Sequence, residues 1–140
     1  MAYYARFKVG RPEFVLPPAE LAVGETFDFS FHHTFKRPVT INWIKTQLIL
    51  RETATYQRGT DTTTVTHNHI IEEYEEPGAD FRSGHLLHKA YSLQIPADSI
   101  HTVKVRRNAL QWLLKFEADI SSLPNFVEEF ELTVLPKMKI

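Results

Sequence analysis

Asn108–Pro136 reads NALQWLLKFEADISSLPNFVEEFELTVLP, and its alternation decides the fold. Leu110, Trp112, Leu114, Phe116, Ala118 and Ile120 occupy every second position. Alternate residues of a β-strand face the same side. After a break at Leu123-Pro124-Asn125, Phe126, Phe130, Leu132 and Val134 share one parity while Glu129, Glu131 and Thr133 take the other. Proline fixes φ and asparagine suits turns, so the two runs read as strands meeting at a corner. Two large apolar faces this close in sequence predict the centre of a sandwich core, with Trp112 buried between sheets. A helix over Asn108–Ala118 is the competing reading. Leu110, Leu113, Leu114 and Glu117 fit helical spacing, and Leu113 breaks the strand's alternation.

Outward from that stretch, toward the N-terminus, short strand signals are separated by turns. Ala97–Arg107 has a weak pattern in which Val103 and Val105 alternate with basic residues; before it, Leu87, Tyr91, Leu93 and Ile95 share a parity that ends at Pro96. Glu72–Asp80, EEYEEPGAD, is acidic and carries Pro-Gly, so it is expected to be a loop. Asp61–Tyr74 reads as a return strand and Tyr56–Thr60 as its hairpin connection. In Val39–Glu52 the apolar register switches from Val39, Ile41 and Trp43 to Ile44, Leu48 and Leu50, which predicts a bulge or a bend. Thr26–His33 places Phe27, Phe29 and Phe31 on one face. Arg11-Pro12 and Pro17-Pro18 confine the segment around Phe14 to an edge or outside the sheet, because proline cannot donate to a ladder. Tyr3–Val9 reads as a first strand. The sum is an all-β, immunoglobulin-like antiparallel sandwich of seven to eight strands. The expected organisation is one domain over residues 1–140, standing alone or excised from a longer chain.

Composition narrows the function classes. A formal net charge of -1 offers no electrostatic case for nucleic acid or an anionic membrane. The absence of cysteine excludes thiol catalysis and Cys-ligated metal. No apolar stretch approaches the length of a membrane helix or resembles a signal peptide, which favours a cytoplasmic location.

Several stretches resemble the arrestin-like pattern. These are Tyr91-Ser-Leu-Gln-Ile-Pro96, Leu110-Gln-Trp-Leu114, the acidic corner at Asp119, and the final Phe130-Glu-Leu-Thr-Val-Leu-Pro136. Leu21–Phe31 resembles that family's Gly-Glu-led strand, and Ile44–Thr60 is similar to bacterial arrestin-like domains. The resemblance implies a β-sandwich and a non-enzymatic scaffolding or interaction role. Arrestins join two such sandwiches and this chain has length for one. Ile100-His101-Thr102 also replaces the serine expected after the Pro-led loop, so receptor and phosphate recognition are not carried over.

Three clusters are candidates for chemistry. His67 and His69 lie at i, i+2 on one strand face and could ligate Zn²⁺ or Ni²⁺; His85 with His88, and His32 with His33, are further pairs. Solvent-facing strand residues are the commoner meaning of such pairs, and no metal or other cofactor is expected. Glu72, Glu73, Glu75 and Glu76, with Glu128, Glu129 and Glu131, could supply paired carboxylates for glycoside hydrolysis, although acidic runs are mostly solvated faces. Val103, Lys104, Val105, Arg106 and Arg107 form a compact alternating basic segment. It could hold an acidic extended peptide or simply protect a sheet edge with charge. The expected function is therefore non-catalytic binding of a protein or peptide partner through that segment. The alternative is a carbohydrate-binding or hydrolytic accessory domain, which would gather Trp43, Tyr56 and Tyr74 into an exposed platform beside acids.

Overall fold

A computed structural model describes residues 10–136 of the chain, so the strand expected at Tyr3–Val9 lies outside the described residues. Within them the chain is all β. The strands are β1 (Glu13–Val15), β2 (Glu20–Ala22), β3 (Thr26–Thr34), β4 (Val39–Arg58), β5 (Asp61–Phe81), β6 (Leu86–Gln94), β7 (Val103–Val105), β8 (Asn108–Ile120) and β9 (Phe126–Leu135). One sheet has the order β1-β3-β6, the other β2-β9-β8-β4-β5, and β7 adds to β8 beside the end of β9. The described strands number nine rather than seven or eight, because the short β1, β2 and β7 all enter ladders. Pairing is antiparallel except between β2 and β9, which run parallel from Glu20↔Thr133 to Ala22↔Leu135.

The core lies between the sheets and follows the alternation of the sequence. Trp112, Leu114, Phe116, Ala118 and Ile120 of β8 are buried against Phe27, Phe29 and Phe31 of β3, with Phe126, Leu132 and Val134 from β9. Phe31 meets Phe116 edge-on at 4.8 Å, and Phe14 of the short edge strand β1 packs at 5.1 Å from Phe116 and 4.9 Å from Phe130. Aromatic pairs prefer such tilted geometries. The Trp112 indole N–H donates to the Ile100 carbonyl at 2.9 Å, which pins the connection between β6 and β7 over the core.

The helix over Asn108–Ala118 does not form. Leu113, which fits no two-residue alternation, faces the outside of the large sheet opposite Ile49 of β4. Both are nearly buried, at 5% and 2% exposure. The reason is the Arg51 guanidinium, which receives support from both flanks: its Nε donates to Asn68 Oδ1 at 2.8 Å on β5 and its Nη2 to Glu129 Oε2 at 2.8 Å on β9. That reach spans β5 to β9 on the face that carries the Ile49–Leu113 rung, and an arginine's aliphatic stem shields apolar surface while its head stays polar.

The register switch in β4 is a bulge between Ile41 and Trp43 in the ladder with β8. Ile41 and Ile44 both face inward, and Trp43 turns outward under the Lys45 ammonium, 4.6 Å from its ring centroid. Opposite this irregularity lies Gly78, where a Cβ would collide with the carbonyl oxygens of Ile41 and Asn42. Glu72–Asp80 is accordingly not a loop but the second half of β5, paired from Glu72↔Leu48 to Asp80↔Thr40. Proline is tolerated there because β5 is an edge strand, with a free side toward which a missing donor does no harm.

Candidate functional site

The β7–β8 corner is built on two anchors. Lys104 pairs with Ala109 and Val105 with Asn108, leaving Arg106-Arg107 as a two-residue turn. At the entry to β7 the Thr102 N–H donates to Val134 O at 2.8 Å, and Thr102 Oγ1 accepts from Val134 N at 2.8 Å. At the exit the Thr55 N–H donates to Arg107 O at 2.7 Å, tying the turn to β4. The result is a shallow depression between Thr53, Thr55, Val105 and the two arginines.

Sequence alternation places Lys104 and Arg106 on one face, and the structure separates them. Lys104 points to the outer face of the large sheet and meets Glu131 Oε1 at 2.7 Å. That hydrogen bond, helped by one from Gln111, holds the Glu131 carboxyl below its ordinary range. Arg106 sits in the turn beside Arg107, and among the described residues neither forms an ion pair. Val103 is half-buried on the inner side, whereas Val105 is 60% exposed.

Beyond this corner the β4–β5 hairpin runs on as an arm. The ladder between β4 and β8 ends at Ala54↔Asn108, but β4 and β5 stay paired to Arg58↔Asp61. The connection is tighter than the expected Tyr56–Thr60: Gly59-Thr60 alone, with Gly59 in the left-handed region at φ 63°, which costs glycine little. Arg58 caps the Tyr56 ring at 5.9 Å near the tip.

The histidines fall in separate places. His67 and His69 do share one face of β5, opposite Glu52 and Leu50, with ring centroids 6.5 Å apart, and His69 Nε2 lies 3.8 Å from Glu52 Oε1. His32 and His88 oppose each other across β3 and β6, and His32 bonds to Glu13. His85 packs on Phe81, and His33 packs edge-on to Phe35. Among the described residues no three His, Cys, Asp or Glu side chains are placed to hold a metal ion.

The carboxylates are divided by strand alternation and taken up by cross-strand partners. Glu73 accepts from Gln47 at 2.6 Å and Glu75 lies 3.6 Å from Lys45, both on the outer face. Glu72 and Glu76 face inward and seam β5 to β6: Glu72 accepts from the Tyr74 hydroxyl and the Gln94 N–H, and Glu76 from the Tyr91 hydroxyl at 2.9 Å. Burial, with the bond to Glu76, drives the Tyr91 hydroxyl pKa far above the ordinary tyrosine value. Glu128 accepts from Arg11 Nε at 2.9 Å and Nη2 at 3.0 Å, joining the segment just before β1 to β9. Sequence reasoning missed this seam because partners far apart in the chain supply it.

Trp43, Tyr56 and Tyr74 do not gather into one platform. Trp43 faces outward, Tyr74 stacks inward on Tyr91 at 4.9 Å, and Tyr56 stands at the arm's end. Inside the core, an apolar cavity of about 30 Å³ between Phe31, Phe35, Ile44, Phe116 and Phe126 has room for little more than a water molecule. No helix among the described residues is long and apolar enough to cross a membrane.

The two-sheet topology, with β4, β8 and β9 at the centre of the larger sheet, matches a known architecture. Spo0M, a sporulation control protein from Bacillus subtilis, has a solved structure similar to this one with a TM-score of 0.66. The fold is arrestin-like. Sequence identity to Spo0M is 14%, and the likeness covers 89% of this chain and 48% of that one. This arrestin-like chain therefore spans about half the length of the structure it matches. No family model and no curated protein sequence matches it.

Proposed function

We propose that this arrestin-like sandwich is a non-catalytic interaction module that holds an extended acidic segment of another protein at the β7–β8 corner. The observation that carries the reading is the combination at Val105-Arg106-Arg107: an apolar side chain 60% exposed beside two guanidinium groups without an ion-pair partner among the described residues. Unpaired guanidinium forks select carboxylates, and an exposed valine beside them gives the partner an apolar contact. The corner is also rigidly held, by Thr102 on one side and Thr55 on the other, so little order has to be gained on binding. Lys104 contributes less to selection, because Glu131 already occupies it. A non-catalytic role is further supported by the carboxylate clusters, whose members are bound by tyrosine, glutamine, lysine and arginine partners across the strands. The likeness to a sporulation control protein accords with regulation by binding.

The test is fluorescence anisotropy with a labelled peptide of alternating Glu and Val, against wild type and a folded Arg106→Glu/Arg107→Glu variant. Wild type should bind with an affinity that falls as salt rises, and the variant should lose about tenfold or more. A Lys104→Glu variant should lose less. Equal binding by wild type and the double variant, or none by either, would sink the reading.

A further inference from the structure

β5 is a long edge strand with one ladder. Its partner is β4, and among the described residues no strand pairs with its other side. Edge strands are ordinarily blunted by brevity, charge, proline or a covering element. The other described edges obey this. β1, β2 and β7 have three residues each. β6 is sealed by β5 side chains, with Glu72 accepting from the Gln94 N–H and the Tyr74 hydroxyl 3.1 Å from Ser92 O.

Thr62–Ile71 of β5 departs from the rule. Its sequence, TTTVTHNHII, contains no formally charged residue, no proline and no glycine, and it is bounded by Asp61 and Glu72. Thr64, Thr66, His67, Asn68, His69 and Ile70 are all exposed. Ile70 is 56% exposed at the open end of the apolar rung it forms with Ile49 and Leu113. Threonine, valine and isoleucine favour strands, so this segment is ready to take a further strand.

We infer that the strand it takes is the same segment of a second copy, joined antiparallel as β5 to β5′ about a two-fold axis. Charge argues for this occupant. An uncharged edge gives no selection for a charged peptide, and the uncharged strand-forming partner present at equal concentration is this segment itself. In antiparallel pairing centred on Thr66, as a two-fold axis that keeps like residues on one face requires, Thr62–Ile70 of each copy meets only uncharged residues of the other, and Asp61 and Glu72 fall outside the shared rungs. Closure argues for a dimer rather than a fibre. Among the described residues each chain offers one such edge, so pairing consumes it and leaves the short β2 strands at the ends of a continuous sheet. β4 lies between the contact and the Arg106-Arg107 turn, with Thr55 paired to Thr64 on one side and donating to Arg107 O on the other, and the inference does not depend on the peptide reading above.

Sedimentation equilibrium of wild type across a wide concentration range, beside Thr64→Lys/Thr66→Lys, tests the inference. Wild type should form dimers, and the lysine variant, with the same melting temperature, should dissociate at least about tenfold more readily. The natural chain has no cysteine, so single Thr64→Cys, Thr66→Cys and Asn68→Cys variants report the contact independently of the lysine variant's folding. Under mild oxidation one of the three should cross-link efficiently and a Val105→Cys control should not. A wild type that stays monomeric, dimers that survive the lysine pair, open-ended assembly, or cross-linking strongest at Val105→Cys would each overturn the inference.

Discussion

Trp112 joins the core to the corner. It is fully buried, fills the space between the sheets, and donates its indole N–H to Ile100 O. Trp112→Ala should cost about 3–5 kcal/mol, since a large cavity opens where the sheets cannot collapse. Trp112→Phe should cost about 1–3 kcal/mol through the orphaned Ile100 carbonyl, and the amides of 97–102 should exchange faster with solvent. Urea denaturation and amide exchange read the two effects separately. Lys104 and Glu131 give a second residue-scale prediction. The hydrogen bond from Lys104 depresses the Glu131 pKa, so its stabilisation is present above the ordinary carboxylate pKa and is lost as pH falls through the depressed one. Lys104→Met should raise the Glu131 pKa toward the ordinary range, visible by NMR titration of the carboxyl carbon. The stability change should stay below about 1 kcal/mol, because both side chains are largely exposed.

Among the elements, β4 and β5 carry the irregularities that shape the large sheet. Gly78 lies opposite the β4 irregularity between Ile41 and Trp43, and Gly78→Ala must push a methyl into the Ile41 and Asn42 carbonyl oxygens. The expected cost is about 1–3 kcal/mol, the usual scale for overpacking, and thermal unfolding measures it. The neighbouring Ala79→Gly, on the same strand without that approach, should cost less. A second register shift at Leu48/Ile49 leaves Ile71 without a cross-strand partner. Ile71 instead packs on the edge of the core, and with Tyr74 it draws the second half of β5 toward β6.

For the molecule as a whole, stability and presentation occupy different regions. Among the described residues every fully buried large side chain lies in β2, β3, β4 up to Leu48, β6 and its end at Ile95, β8 or β9. The distal arm contributes none. Replacing Tyr56–Thr63 with an Asn-Gly turn, which suits a two-residue hairpin, should therefore change stability by less than about 1 kcal/mol, or about 4 °C in Tm. Calorimetry of the shortened chain checks this. Loss of the cooperative transition would show that the arm belongs to the folding unit.

The sandwich was legible in the sequence wherever one face of a strand is buried. Alternation at Phe27, Phe29 and Phe31, and from Leu110 to Ile120, is a local consequence of a water-excluding face, and it placed β3, β8 and the buried Trp112 correctly. The switch from Trp43 to Ile44 likewise announced the β4 bulge. Three features were decided by tertiary structure. Leu113 breaks the alternation because Arg51 reaches from Asn68 to Glu129 on the face that carries it. Glu72–Asp80 looks like an acidic loop because its partners, Gln47, Lys45, Tyr91 and the bulged backbone at Gly78, lie on other strands or in tertiary contact. Lys104 and Arg106 share a parity but not a face, since the chain turns between them and Glu131, brought by β9, claims the lysine. Periodicity reports which side of a strand is dry; which distant charge meets which is set only when the sheets assemble.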